Sequence, residues 1–189
     1  MNNRAKAILD FWFVESSPEE KFNRNDDFDN RIKDLFFEDY KKAIINEYDS
    51  WQNNAEECLA LIVILDQFSR NLFRNNSKAF AMDFKAVTIA KNAIKKKYHE
   101  TLPNNHILFI FLPLMHSEEI NNQFYCNKLI DNFLKKNSNY EQIKKFSKIH
   151  LDIIKKFGRF PYRNKILNRK STNEEIEYLS STHYDFFNV

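Results

Sequence analysis

Glycine is almost missing from this chain. Gly158 is the one glycine among 189 residues, and there are four prolines. Sandwiches, barrels and nucleotide-binding sheets take many glycines for tight turns and close backbone approaches. An all-helical fold is what remains. The same scarcity excludes the glycine-rich phosphate loops, because neither GxGxxG nor GxxxxGK can be written with a single glycine. Cysteine is nearly as scarce. Cys58 and Cys126 lie far apart, with no CxxC pair and no secretion signal ahead of them. That pattern is expected of reduced thiols in a cytoplasmic protein. Long apolar runs are absent too: LALIVIL and ILFIFLPLM fall well short of the roughly 20 residues that cross a bilayer. No membrane partner is expected. Neither sign of charge dominates, since 29 Lys and Arg against 26 Asp and Glu leave +3. KNAIKKKYHE and EQIKKFSKIHLDIIKK are basic, but their lysines alternate with apolar residues at helical spacing, as on a solvated helix face. Nucleic acid is not expected as a partner either.

What the chain does contain is apolar residues at three- and four-residue spacing almost throughout. The spacing predicts helices over residues 3–13, 28–46, 55–73, 83–98, 104–112, 118–136 and 140–157. Ser17 and Pro18 in SSPEEKF mark a further helix start, and Glu19 and Glu20 suit its positive end. Gly158 supplies a left-handed residue to close the helix before it. Ser171 and Glu174 have the spacing of a capping box and open a last helix. A chain of this length is most simply one domain, residues 1–189. Short connections imply antiparallel helical hairpins packed side by side, a tetratricopeptide-like architecture, although no repeat of roughly 34 residues carries that family's signature. Trp12 and Trp51 read as core anchors. A monomer or weak homodimer is expected.

One helix is unusual. LIVILDQFSRNLFRNN begins as buried helix and then sets Asp66, Gln67, Arg70, Asn71 and Arg74 within nine residues. With Asp66 at zero and about 100° per residue, Arg70 falls at about 40°, Arg74 at about 80°, Gln67 at about 100° and Asn71 at about 140°. All five share one face, while Leu61, Ile64, Leu65, Phe68 and Leu72 turn to the core. An ordinary solvated face would carry Glu and Lys pairs. Amides mixed with guanidinium groups suit a recognition site better.

Two other segments supply chemistry. His116, Ser117 and Glu118 lie at a helix junction, where Ser117 as N-cap with Glu118 in the first turn is a sufficient structural account that leaves His116 unexplained. In GRFPYRN the Phe-Pro step forces extended backbone, which holds Arg159 and Arg163 on a stiff loop, either as a fork for a carboxylate or phosphate or as partners for Asp66 or Glu118. His150 shares an apolar seam with Phe146, Ile153 and Phe157. It reads as a core histidine or, facing carboxylates, as a general base. The paired ExxH motifs of a di-iron bundle are absent, so neither a metal nor another cofactor is expected.

Taken in order, ILDFWF, LDQFSRNLFR, FLPLMHSEE and FGRFPYRNKILNRKSTNEEI resemble the bacterial family called domain of unknown function 924. The resemblance implies an all-helical, tetratricopeptide-like fold and no established activity. Its motif positions map here onto Asp66, Gln67, Arg70, Asn71, His116, Ser117, Glu118, Arg159, Pro161, Arg163 and Asn164. Ser69 departs from it by standing where a proline is expected, which argues against a kink at the polar stripe. Three functions fit these residues. In the first, a small anionic ligand is bound by Gln67, Arg70, Asn71, Arg74, Ser117, Arg159, Arg163 and Asn164, with hydrolase-type turnover by His116 or His150 and Asp66 or Glu118. In the second, a peptide-interaction module clamps an acidic side chain or carboxylate. In the third, the polar residues form an internal network that fixes how the helices meet.

Overall fold

The computed structural model describes residues 1–180, and among them every regular element is helical. The unit read over residues 1–189 extends past the described residues at its C-terminal end. Helix α1 (Asn3–Asp10) widens into a π-type turn at Phe11–Glu15. Helix α2 (Pro18–Phe22) is opened by Ser17 and Glu20, whose side chains cap each other's backbone N–H, with Pro18 in the first turn. Helix α3 (Asp26–Ile44) follows. Next, α4 (Ala55–Ile62) runs through a π-type turn at Val63–Phe68 straight into α5 (Ser69–Leu72). The remaining helices are α6 (Asp83–Lys95), α7 (Asn104–Met115), α8 (Ile120–Phe133), α9 (Tyr140–Phe157) and α10 (Asn173–Ser180). Helix α6 packs on α7, α7 on α8 and α8 on α9, while α4 lies against α1, α6 and α7. Short connections between neighbours make each pair double back on itself.

The α4 rod is the axis of the fold because its sequence leaves it no polar side to give to water. Every residue from Cys58 to Ser69 is buried, Asp66 and Gln67 included. A helix buried all round belongs at the centre of a core. Phe68 joins it to the N-terminal aromatics: its ring lies 5.0 Å from Phe36 and 5.6 Å from Trp12, and Phe36 in turn lies 5.0 Å from Phe11. Edge-on and offset pairs of this kind add about 0.5–1.5 kcal/mol each beyond the area they bury. A smaller cluster of Ile153, Ile154 and Phe160 ties the C-terminal segment to α9.

Several boundaries differ from the sequence reading, each for a local reason. Helix α7 continues through Pro113 to Met115 instead of ending at residue 112. Proline removes one backbone N–H, yet Ile110 through Met115 are all buried. Gln123 of α8 donates to the carbonyls of Met115 at 2.6 Å and Ser117 at 2.7 Å. Ser117 does not cap α8. Glu119 holds that position, and the Ser117 hydroxyl accepts from the Glu119 N–H at 3.2 Å and from Asn122 at 2.8 Å. The last capping box is Thr172 with Glu175, one residue beyond Ser171 and Glu174, because Glu175 is also held by Arg159 and Asn164. The polar stripe is perturbed without a proline, since the π-type turn falls on Val63–Phe68. Such single wide turns inside α-helices are frequent at functional sites.

Gly158 ends α9 with φ of 68° and donates its N–H to Ile154. A Cβ there would meet nothing within 4 Å, so substitution acts through backbone strain alone. Gly158→Ala should lower unfolding stability by about 1–2 kcal/mol, with a smaller loss for Gly158→Asn. Denaturant midpoints of the three proteins check this, and equal midpoints for all three would refute it.

Candidate functional site

The π-type turn delivers Asp66 to a place where no carboxylate would stand unaided. Its side chain is 1% exposed, and both oxygens lie against the His116 ring, with Nδ1 2.9 Å from Oδ1 and 3.0 Å from Oδ2. Gln67 donates to Oδ2 at 2.6 Å, and an Arg70 Nη2 stands 3.8 Å from Oδ1. Burial pushes the Asp66 carboxyl up, but His116, Arg70 and Gln67 together outweigh it and hold the group below its ordinary value. An ionised Asp66 accepts the Nδ1 proton, which fixes the tautomer and leaves Nε2 for whatever approaches. His116 caps the end of α7, one residue past Met115, and its side chain is 21% exposed.

His116 lines a cleft of about 410 Å³, with Asp83, Ser117, Glu118 and Arg163 among its other walls. Asp83 sits between two arginines. Its Oδ1 is 2.7 Å from Arg70 Nη2, without the alignment of a hydrogen bond, and its Oδ2 accepts from Arg163 Nη1 at 3.4 Å. Burial raises the Asp83 carboxyl, and the two guanidinium groups only partly offset it. Both arginines also lie over the Phe80 ring, at 4.7 Å and 4.6 Å, and Arg163 is stacked on Phe160 as well, at 4.6 Å. Arg163 is 4% exposed, and its Nε finds no hydrogen-bond partner. Glu118, by contrast, has both oxygens engaged: Arg169 donates to them at 2.6 Å and 3.0 Å, and the Phe160 N–H donates to Oε1 at 2.8 Å. These donors outweigh burial and keep its carboxyl low.

Not every residue of the sequence-based set comes to this cleft. Asp66, Gln67, Arg70, His116, Ser117, Glu118 and Arg163 gather at it or directly behind it. Asn71 and Arg74 bind Asp29 of α3 instead, Asn71 at 2.8 Å and Arg74 in a fork at 2.6 Å and 2.9 Å. The helical wheel failed there because α5 ends at Leu72, so Arg74 lies beyond the last regular turn. Arg159 forks onto Glu175 at 2.7 Å and 2.8 Å. Asn164 links Ser171, Glu175 and Arg169. His150 stands behind the cleft, its ring 6.4 Å from that of His116, donating through Nδ1 to the Phe146 carbonyl at 2.9 Å. Sequence reasoning missed Asp83, Asp29, Arg169 and Glu175. A lone acid at a helix start is too ordinary a signal to single out, whereas Glu175 was legible as the second register of STNEE. Among the described residues no group of His, Cys, Asp and Glu side chains is arranged to hold a metal ion.

Fold and site together define an all-helical protein with a buried aspartate paired to a histidine on the wall of a cleft that Arg163 also lines. The chain belongs to the family described as bacterial protein of unknown function (DUF924), whose model matches residues 8–183. It is similar to the solved structure of a protein of unknown function from Agrobacterium tumefaciens, with 35% identity and a TM-score of 0.86 over 93% of this chain and 96% of that one. No curated protein matches it. No helix among the described residues is long and apolar enough to cross a membrane.

Two predictions follow from the geometry behind the cleft. Arg70 also donates to the Ala79 carbonyl, so Arg70→Ala leaves that group, Asp66 and Asp83 short of a partner. It should cost about 2–3 kcal/mol in chemical unfolding without ligand, the low end for a buried pair because the side chain is 15% exposed. An unchanged midpoint would show that the pairs carry little. Burial, reinforced by the nearby His116 and Arg163, lowers His150 from 6.5 to about 3. The folded protein thus refuses a proton that the unfolded chain accepts, so stability is full above pH 6.5 and falls on acidification toward pH 3. His150→Gln should flatten that fall by up to about 1.4 kcal/mol per pH unit. Burial-lowered His99 and His106 contribute to what remains, joined below about pH 4.5 by the carboxyls of Glu118, Glu175 and Asp66 that their donors hold low. Identical slopes in the two proteins would refute the assignment.

Proposed function

We propose that the cleft binds a small anionic molecule and that His116, oriented by Asp66, serves as its acid–base group in a hydrolase-type reaction. The observation that carries this reading is the buried Asp66 holding His116 Nδ1 at 2.9 Å on a wall shared with Arg163. A carboxylate behind a histidine is the arrangement that presents the far nitrogen for proton transfer. Arg163 adds a guanidinium to the cleft wall, the group that suits a carboxylate or phosphate oxygen. The charges of the cluster balance, with Arg70, Arg163 and Arg169 against Asp66, Asp83 and Glu118. In hydrolysis the His116 ring is placed to take a proton from an attacking water as its oxygen bonds to the ester's carbon or phosphorus, and to pass that proton to the leaving oxygen as the ester bond breaks.

In this reading the arginines expected to serve a ligand take different parts. Arg70 is held by Asp83, Asp66 and the Ala79 carbonyl, so its part is to support the cleft from behind, and Arg163 is the guanidinium that meets the ligand. Glu118, pinned by Arg169, positions the Phe160 loop that carries Arg163.

A thermal-shift and turnover screen of phosphate and carboxylate esters tests the proposal. A ligand at 100 times its Kd adds about 2.7 kcal/mol of stability. Hydrolysis should fall on the order of 100-fold or more in His116→Gln, with an intermediate loss in Asp66→Asn. Turnover that survives His116→Gln, or the lack of stabilisation by any anion in the screen, would overturn the reading.

A further inference from the structure

The side of the cleft formed by α6 is apolar at its mouth, and none of the chemistry above uses it. Phe84, next to Asp83, is 81% exposed, more than any other large hydrophobic side chain among the described residues. Packing does not explain it. Phe84, Val87, Thr88 and Lys91 recur at helical spacing along one line of α6, and all four line the cleft. Phe80 extends this wall inward to the point where Arg70 and Arg163 lie over its ring. On its other side Phe84 borders a shallower depression of about 250 Å³, shared with Lys85 and Ile89. The ring is therefore a ridge at the cleft's edge.

Size points the same way as composition. A cleft of about 410 Å³ falls within the range of small-molecule sites, about 300–1,000 Å³, and a bare phosphate or carboxylate would fill only its polar end. The rim carries one charge of each sign, Lys91 and Glu119, so it adds no general attraction for a second anionic group. Polar groups at the His116 and Arg163 end and the apolar Phe84 and Val87 on α6 are complementary to a molecule built the same way.

We propose that the cleft selects anions with an aromatic body, the oxyanion held by Arg163 and His116 and the ring laid against Phe84 and Val87. Phe84 is then the residue that sets specificity. This rests on the anion-binding reading above and adds the class of molecule to it. Stacking on an exposed ring covers apolar surface on both partners. About 55 Å² at about 25 cal/mol per Å² corresponds to roughly a tenfold gain in affinity.

Phenylphosphonate and methylphosphonate test it, since they share a head group, differ in the body and contain no ester to hydrolyse. Calorimetric titration should show phenylphosphonate binding about tenfold more tightly to the wild type. Phe84→Ala changes an exposed side chain. It should erase that preference while leaving methylphosphonate affinity unchanged. Arg163→Lys, which keeps the charge but not the fork, should weaken both ligands. Equal affinities in the wild type, or a preference that survives Phe84→Ala, would overturn the aromatic assignment and leave the anion-binding reading standing. If neither phosphonate binds, or if Arg163→Lys weakens neither, both fall together.

Discussion

A charged carboxylate sealed inside an apolar helix is the condition on which this structure turns. Asp66 is 1% exposed in the most deeply buried stretch of the chain, where an unaccompanied charge would be several kcal/mol out of balance. It is tolerated because three different side chains converge on it. Gln67 comes from the same turn, Arg70 from one turn on, and His116 from the end of another helix. The neighbouring elements are placed as this need requires. Helix α7 runs through Pro113 to bring His116 to the carboxylate, and α6 begins at Asp83 so that Arg70 has a second acid to satisfy.

The same requirement explains why the polar groups form a graded series from core to cleft. Asp66 is fully enclosed and held ionised. Asp83, one step outward, is half-buried, shared by two arginines and pushed upward. Glu118, at the wall, is neutralised by Arg169. Each carboxylate has a cation beside it, and the series ends at the cleft wall that His116, Glu118 and Arg163 share. Polar networks of this kind are stiff when satisfied and chemically open where they are not.

The helical class, most helix positions and the residues at the centre of the site were legible because they depend on local pattern. One glycine excludes sheets, three- and four-residue spacing marks helices, and amides mixed with arginines stand out on an apolar helix. What escaped depends on tertiary contact. The wheel drawn from Asp66 assumed a uniform helix, and the wide turn at Val63–Phe68 with the early end at Leu72 sent Asn71 and Arg74 toward α3. Asp29, Asp83 and Arg169 are commonplace in sequence and gain meaning only from their partners 45, 80 and 51 positions away. Ser171 and Thr172 offered two registers for one cap, and the choice was made by Arg159, across the loop.

Those separations bear on when and how the cleft exists. The contacts that bring Arg163 and Arg169 to the cleft close loops of 80 and 51 residues, among the most entropically demanding in the molecule. They are backed by the small cluster around Phe160 and not by the large core. Cooperative units of a protein open independently when few apolar contacts join them to the rest. By that rule an opening of residues 160–169 would withdraw Arg163 and Arg169 from the cleft while the α4 rod and the Asp66–His116 pair stay folded. Amide exchange along residues 160–169 would then follow the occupancy of the cleft, and exchange along α4 would follow the stability of the whole.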